Sequence, residues 1–166
     1  PGALTEIAGV EVLEYYALDA EVPIKGNWFM GRSRQWAELL NIIDTNTTIP
    51  AARYMESNGW LDDQPAITVH AFRSGLVYYV GTNLDEAAQK EFMTHVFRTT
   101  SITPVMETPA GVQAARRTAA DGKEIIFLIN HTRQRQSINL PRPFFENLKG
   151  LNLEGKIEMA PYGVAV

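Results

Sequence analysis

Between residues 64 and 99 the spacing of apolar positions changes once, and the chain is organised around that change. Ala66-Ile67-Thr68-Val69-His70-Ala71-Phe72 and Leu76-Val77-Tyr78-Tyr79-Val80 are apolar, β-branched and aromatic runs of strand length. Arg73-Ser74-Gly75 separates them. A short connection with Gly available for a positive φ predicts a hairpin. Beyond Gly81-Thr82-Asn83 the period lengthens from two to about 3.6. Leu84, Ala88, Phe92 and Val96 stand four apart, with Met93 and Phe97 beside them, which predicts a helix carrying one apolar stripe. Asn83 and Glu86 have the spacing of a capping box and predict where that helix begins.

Upstream, 1–9 reads as a two-turn helix, with Pro1 at its start and Gly9 just past its end. A strand is predicted over 10–17, with Val10, Val12 and Glu14 on one face and Glu11, Leu13 and Tyr15 on the other. The stretch 23–31, broken by Pro and two Gly, predicts a strand end, a turn and a short strand carrying Trp28-Phe29-Met30. Trp36, Leu39, Leu40 and Ile43 fit i, i+3, i+4, i+7, so periodicity alone predicts a helix over 34–44. The Thr/Asn-rich run 45–48 is a loop, 49–56 a short strand, and Ser57-Asn58-Gly59 a turn.

After residue 99 the character changes. Thr103-Pro104 and Thr108-Pro109 punctuate a linker, since residues before Pro are pushed extended. Strands are predicted over 112–118, 124–130, 137–140, 144–148 and 156–159, with Ala120-Asp121-Gly122 as a turn. Short strands at this spacing predict a small antiparallel sandwich or barrel. The expected domains are 1–105 and 106–166.

Composition narrows the function classes. The 166 residues are 45% hydrophobic and 20% charged, which is globular rather than disordered. Net charge is −4 without blocks of like charge, which argues against nucleic acid as a partner. Arg116-Arg117 and Arg133-x-Arg135 are the basic pairs, expected as solvated strand ends. With no cysteine there is no disulfide, no thiolate zinc site and no thiol nucleophile, and a cytoplasmic location is expected. No apolar run approaches the roughly 18 residues of a membrane span, so no membrane partner is expected. The sequence opens at Pro1 without Met or signal peptide, and a start inside a longer protein is expected.

No catalytic, cofactor-binding or metal residue stands out, and no cofactor is implied. P-loop, GxGxxG and GxSxG motifs are absent. His70, His95 and His131 lie in different elements. His70 is expected at the surface or on a sheet face, His95 beside a core, and Asn130-His131-Thr132 as caps on a turn. The carboxylates are scattered, and the adjacent Asp62 and Asp63 diverge in an extended loop. Trp60 and Trp28 are the candidates for stacking a sugar ring, since the apolar face of a sugar suits an indole. Trp60 comes first, because Asn58-Gly59 and Asp62-Asp63 flank it. Asn46-Thr47-Thr48 and Asn130-His131-Thr132 match the glycosylation sequon but carry little weight without a secretory signal. A free-standing carbohydrate-binding module using Trp60 or Trp28 is therefore the alternative function. A small amidotransferase-like enzyme is opposed by the missing cysteine.

Several ordered stretches carry a resemblance. The run 73–85, Arg-Ser-Gly-Leu-Val-Tyr-Tyr-Val-Gly-Thr-Asn-Leu-Asp, resembles the GxGxxYYVGTxLD segment of glycoside hydrolase family 42 β-galactosidases. Glu107-Thr108-Pro109-Ala110-Gly111-Val112 resembles their APEGVEV, and Phe127-Leu128-Ile129-Asn130-His131-Thr132 their FLLNHS. Glu158 to Val166 resembles their LEPYGVAVL, and 9–15 and 35–40 also have counterparts in order. Arg73 departs from the family's Gly. In that family a (β/α)8 barrel carries both catalytic carboxylates, an α/β domain of flavodoxin or amidotransferase type forms trimers, and a small β domain follows. The resemblance implies an α/β fold, partial and flavodoxin- or amidotransferase-like, over 1–105 and a small all-β antiparallel sandwich over 106–166. It implies a non-catalytic C-terminal region of a bacterial β-galactosidase that serves self-association, as a trimer in the family, and scaffold. The β-galactoside substrate would be met only through the missing barrel, and no catalytic residue is carried over. It also implies that the Trp36 segment is extended.

Overall fold

The computed structural model describes residues 1–55 and 59–166. The chain divides into two units, Pro1–Thr100 and Ser101–Val166. Among the described residues no helix is long and apolar enough to cross a membrane.

Among the described residues, the first unit is a seven-stranded sheet with two α-helices. A 3-10 turn, Gly2–Leu4, runs into α1 (Thr5–Ala8), which ends where Gly9 takes φ 69. The strands are β1 (Val10–Ala17), β2 (Val22–Gly26), β3 (Met30–Ile42), β4 (Thr48–Tyr54), β5 (Pro65–Phe72), β6 (Gly75–Val80) and β7 (Thr82–Leu84). Helix α2 (Glu86–Thr99) follows. The order is β1-β3-β2-β4-β5-β6, with β7 on β3, and every pairing is antiparallel. The expected α/β fold is therefore corrected to a mostly β one. The physical reason lies in the connections. A parallel pair needs a crossover of a dozen or more residues, normally a helix, whereas consecutive strands here are separated by ten residues or fewer and the long helix comes only after the last of them.

The predicted helix over 34–44 is part of β3, in line with the extended conformation implied by the resemblance. This strand is irregular. Gln35 sits at φ 64, and the register slips between Arg34 and Ala37 against β7 and between Val12 and Glu14 against β1. Each slip interrupts the two-residue alternation. Of the apolar positions that predicted a helix, Leu40 is buried, Trp36 and Leu39 are half-buried and Ile43 is exposed. Trp28 and Phe29 occupy the turn between β2 and β3, closed by Gly26 N–H donating to Phe29 O at 2.9 Å, rather than the short strand expected there. The turn expected at 57–59 and the end of the strand expected over 49–56 fall partly outside the described residues.

The hairpin of β5 and β6 is paired from Ile67↔Val80 to Phe72↔Gly75. Arg73, not Gly75, takes the positive φ of 52. Helix α2 starts from Asp85 rather than from the predicted Asn83 cap, because Asn83 is paired with Arg34 in the sheet. Asp85 Oδ1 accepts from Ala88 N–H at 2.8 Å, and Oδ2 accepts from Arg32 N–H at 2.7 Å, so one carboxylate caps the helix and ties it to β3. Ala88 and Phe92 are buried and Met93 and Val96 half-buried against Ile24, Ala37, Ala52, Tyr54 and Ile67, whereas Phe97 is exposed. A Cβ placed on Gly31 would lie 2.3 Å from Ala88 Cβ, so the helix approaches the sheet at a distance only Gly permits.

Residues of the opposite parity face the other side of β5, where α1 lies. His70, expected at a surface or sheet face, is only 8% exposed, and its Nδ1–H donates to Ile7 O at 2.7 Å. It pins α1 to the sheet.

The second unit contains β8 (Val112–Thr118), β9 (Glu124–Asn130), β10 (Gln136–Asn139), β11 (Phe144–Glu146), β12 (Leu151–Leu153), β13 (Lys156–Met159) and β14 (Val164–Ala165). They form three antiparallel sheets: β14-β9-β8, β10-β13 and β11-β12. The core is Met106, Val112, Leu128, Ile138, Met159 and Ala165. The single sandwich expected here is thus replaced by three small sheets around one core.

Candidate functional site

The two predicted sugar platforms lie in different surroundings. Trp28 is stacked on His95 with ring centroids 3.8 Å apart and planes 3° from parallel, and it also stacks on Phe29 at 4.6 Å. Tyr78 stands edge-on to Phe92, and its hydroxyl is 3.3 Å from His95 Nε2. Trp28 therefore closes the aromatic layer between the β2–β3 turn and α2, with one ring face taken by His95. Trp60 packs against Tyr16 at 3.8 Å and is 37% exposed. Trp28 and Trp60 are thus engaged by separate aromatic neighbours. His95 lies beside the core as expected.

A second cluster sits where β3, β6 and β7 meet. Thr82 Oγ1–H donates to Trp36 O at 2.7 Å and lies against Ser33 Oγ, and both hydroxyl residues are buried. Tyr54 O–H donates to Gly81 O at 3.0 Å. Tyr79 O–H donates to Glu38 Oε2 at 2.7 Å. Burial first, then the hydrogen bond and charge of Glu38, push the Tyr79 phenol well above its ordinary range, so it remains a donor at neutral pH. These groups close the bulged part of β3. The run Tyr78 to Thr82, which carries the strongest family resemblance, is therefore a structural junction.

In the second unit the corresponding part is played by two buried polar side chains. Asn130 is fully buried and fully used. Its Nδ2 donates to Gln134 O and Ala160 O, each at 2.8 Å. Its Oδ1 accepts from Thr132 N–H at 3.0 Å and Thr132 Oγ1–H at 2.8 Å. This is the turn cap expected of 130–132, and it leaves the Asn130 sequon closed. Because Asn130 N–H also donates to Gly163 O, the 127–132 and 158–166 motifs form one junction.

Glu146 was missed by the sequence reading. It is buried, and it accepts from Lys149 N–H at 2.7 Å, Leu148 N–H at 3.2 Å and Val166 N–H at 3.3 Å. Burial, the largest influence, opposes its charge. The backbone amides of Val166, Lys149 and Leu148 and the Lys149 charge outweigh burial, so the carboxyl titrates below its ordinary value. The signal that finds it is Glu-Asn-Leu-Lys-Gly, a carboxylate four residues before a Gly at φ 67. Beside it lies an apolar cavity of about 550 Å³, lined by Ile126, Leu128, Leu140, Phe144, Leu153 and Ala165 among others.

These groups are engaged in structural contacts. Among the described residues no group of three or more His, Asp or Glu can hold a metal ion. Glu38 binds a tyrosine, Asp85 caps a helix, Glu146 binds backbone amides, Asp44 closes its own turn through Asn46 and Thr47, and Glu124 pairs with Arg116 and Arg142. What the arrangement does is fix strands and loops.

Comparison with known proteins gives these junctions a family. The family model of the β-galactosidase trimerisation domain of glycoside hydrolase family 42 matches residues 1–103, and that of the β-galactosidase C-terminal domain matches 111–166. The β-galactosidase BglY of Alicyclobacillus acidocaldarius is 31% identical over 175 residues, covering 100% of this chain and 25% of that protein. LacZ of Heyndrickxia coagulans is 26% identical over 168 residues, covering 100% of this chain and 24% of that protein. Among solved structures, the β-galactosidase from Bacillus circulans sp. alkalophilus superposes with a TM-score of 0.85 at 20% identity, covering 99% of this chain and 25% of that one. The cold-adapted β-galactosidase from Rahnella sp. R3 gives 0.76 at 26% identity, with 97% and 24% covered. The chain spans about a quarter of the length of these relatives. Matched by both domain models, it belongs to the glycoside hydrolase family 42 β-galactosidases, of which it spans the trimerisation and C-terminal domains.

Proposed function

We propose that this chain is a non-catalytic part of a β-galactosidase, serving self-association and scaffold, with hydrolysis of terminal β-D-galactosides belonging to the longer protein. It acts as two domains that part near residue 105. The observation that carries this reading is the match of residues 1–103 to a trimerisation domain. The side chains are consistent with it, since Asp85 caps a helix, Glu146 binds loop amides and Glu124 pairs with Arg116, rather than forming a facing pair at a substrate. The purified 166-residue chain should leave a nitrophenyl β-D-galactoside intact. Turnover within the ordinary enzymic range of about 1–10³ s⁻¹ overturns the reading. Sedimentation velocity should show association of the wild-type chain, and a strict monomer at high concentration removes the assembly part.

A further inference from the structure

The second unit holds an apolar cavity of about 550 Å³. One wall is β9, through Ile126 and Leu128, and the other is the β11–β12 hairpin, through Phe144 and Leu153. Among the described residues the hairpin pairs with no other strand. It is tied down at its turn, where Glu146 accepts from Val166 N–H and Asn147 N–H donates to Val166 O at 2.6 Å. The volume falls within the roughly 300–1,000 Å³ of ordinary small-molecule sites.

Charge decides which kind of molecule suits it. Lys123 Nζ is 2.9 Å from Asp121 Oδ2, and Glu124 lies 3.1 Å from Arg116 Nη1 and 3.6 Å from Arg142 Nη2. Glu146 is held by backbone amides. These four charged side chains of the lining are already partnered, so a charged guest would lose its hydration and find no free counter-charge. The ladder supplies two neutral polar groups instead. Asn130 N–H donates to Gly163 O, and His131 N–H donates to Gly111 O on the other side of β9. Bonded residues alternate along an antiparallel pair, so Asn130, Leu128 and Ile126 turn their N–H and C=O groups toward β14. β14 ends at Ala165, opposite Leu128. Ile126 lies two residues further along β9, lines the cavity, and aims its N–H and C=O past the end of β14.

We propose that this cavity binds a small neutral molecule with an aromatic or branched apolar body and one hydroxyl group. The body packs between Leu128 and the Phe144 and Leu153 side chains of the hairpin, and the hydroxyl exchanges hydrogen bonds with Ile126 N–H and C=O. A mostly apolar pocket with a few convergent polar groups is the usual composition of a small-molecule site. Phe144 favours a ring as the guest, since aromatic pairs gain beyond the area they bury. The site lies wholly within the second unit, and the proposal does not rest on self-association.

The probe is 2-naphthol, titrated into the whole 166-residue chain and followed by amide chemical shifts. Shifts should saturate, stay within 123–128, 140–147 and 165–166, and include the Ile126 amide. 2-Naphthoate, the same ring with a charge, should bind at least about tenfold more weakly. Ala165→Phe puts a ring into the cavity beside Leu128 and should abolish the shifts. Leu140→Phe is the milder filling, for use if Ala165→Phe disturbs the β8–β9 amides, and should weaken binding. Shifts that rise linearly to the solubility limit of the probe, that spread into the first unit, or that persist unchanged in a folded filling variant overturn the site. Equal binding of 2-naphthoate overturns the neutral class of ligand, and an unmoved Ile126 amide overturns the hydrogen bond to β9.

Discussion

In residues 1–100 a helix closes the sheet, and its fit is a matter of volume. Ala88 lies against Gly31, Phe92 fills the space beside Trp28 and Tyr78, and Asp85 fastens the helix start to β3. Residues 101–166 have no helix. Their three small sheets are joined by Asn130 and Glu146, buried side chains whose polar atoms all bind backbone or neighbouring hydroxyls. The contrast teaches that two units of one chain can exclude water by different means. Both have buried polar junctions, but the first adds a sterically fitted helix that the second lacks, and they should fail under different insults. The means of observation is built in, because Trp28, Trp36 and Trp60 all lie in the first unit.

Phe92→Ala attacks the steric side hardest. It should cost about 3–5 kcal/mol and lower the midpoint of the Trp-monitored denaturant transition. If the second unit responds equally, as followed by hydrogen exchange of β9 amides, the contrast between the units is lost. Asn130→Ala attacks the polar side. It removes the donor to two carbonyls and the acceptor of the Thr132 amide, and should cost about 1–3 kcal/mol, seen as faster exchange at 128–134 with the Trp transition unmoved. Gly31→Ala adds one methyl at the closest helix–sheet contact and should cost about 1–3 kcal/mol, toward the low end if α2 shifts outward. Gly150→Ala, where no atom lies within 4 Å of the added Cβ, is the control for a purely conformational effect at φ 67.

The smallest effect at neutral pH sharpens the comparison through its pH dependence. Glu146 has a folded-state pKa lowered from its ordinary 4.5. The unfolded state therefore binds the proton more readily. The contribution is complete above about pH 4.5 and is lost as pH falls through the folded value. Acid should weaken the second unit through this residue, and Glu146→Gln should flatten that part of the acid limb. Identical acid limbs in the two proteins would show that the amides around Glu146 do not favour its charge.

The family resemblance was legible because its motifs sit at junctions where little else fits. Tyr78 to Thr82 closes the β3 bulge, while 127–132 and 158–166 bind each other. The local elements were legible too. The 66–80 hairpin, the α2 stripe and the strands 112–118, 124–130 and 156–159 follow from periodicity over neighbouring residues, which is a property of the chain itself. The remainder depended on partners distant in sequence. Periodicity gave the Trp36, Leu39, Leu40, Ile43 segment a helical signature, whereas pairing with β1 and β7 makes it a bulged strand. Asn83 could not be told from Asp85 as the cap until pairing with Arg34 occupied it. His70 became buried because α1 folds back over β5, sixty-three residues away. The antiparallel topology, the stacked position of Trp28 and the buried charge of Glu146 have the same origin. The sequence by itself determined the regularly periodic segments, such as the 66–80 hairpin and the α2 stripe, and the family they belong to. Only the tertiary structure decided which face each side chain meets, because burial, bulges and hydrogen-bond partners are set by strands and loops that lie far apart along the chain.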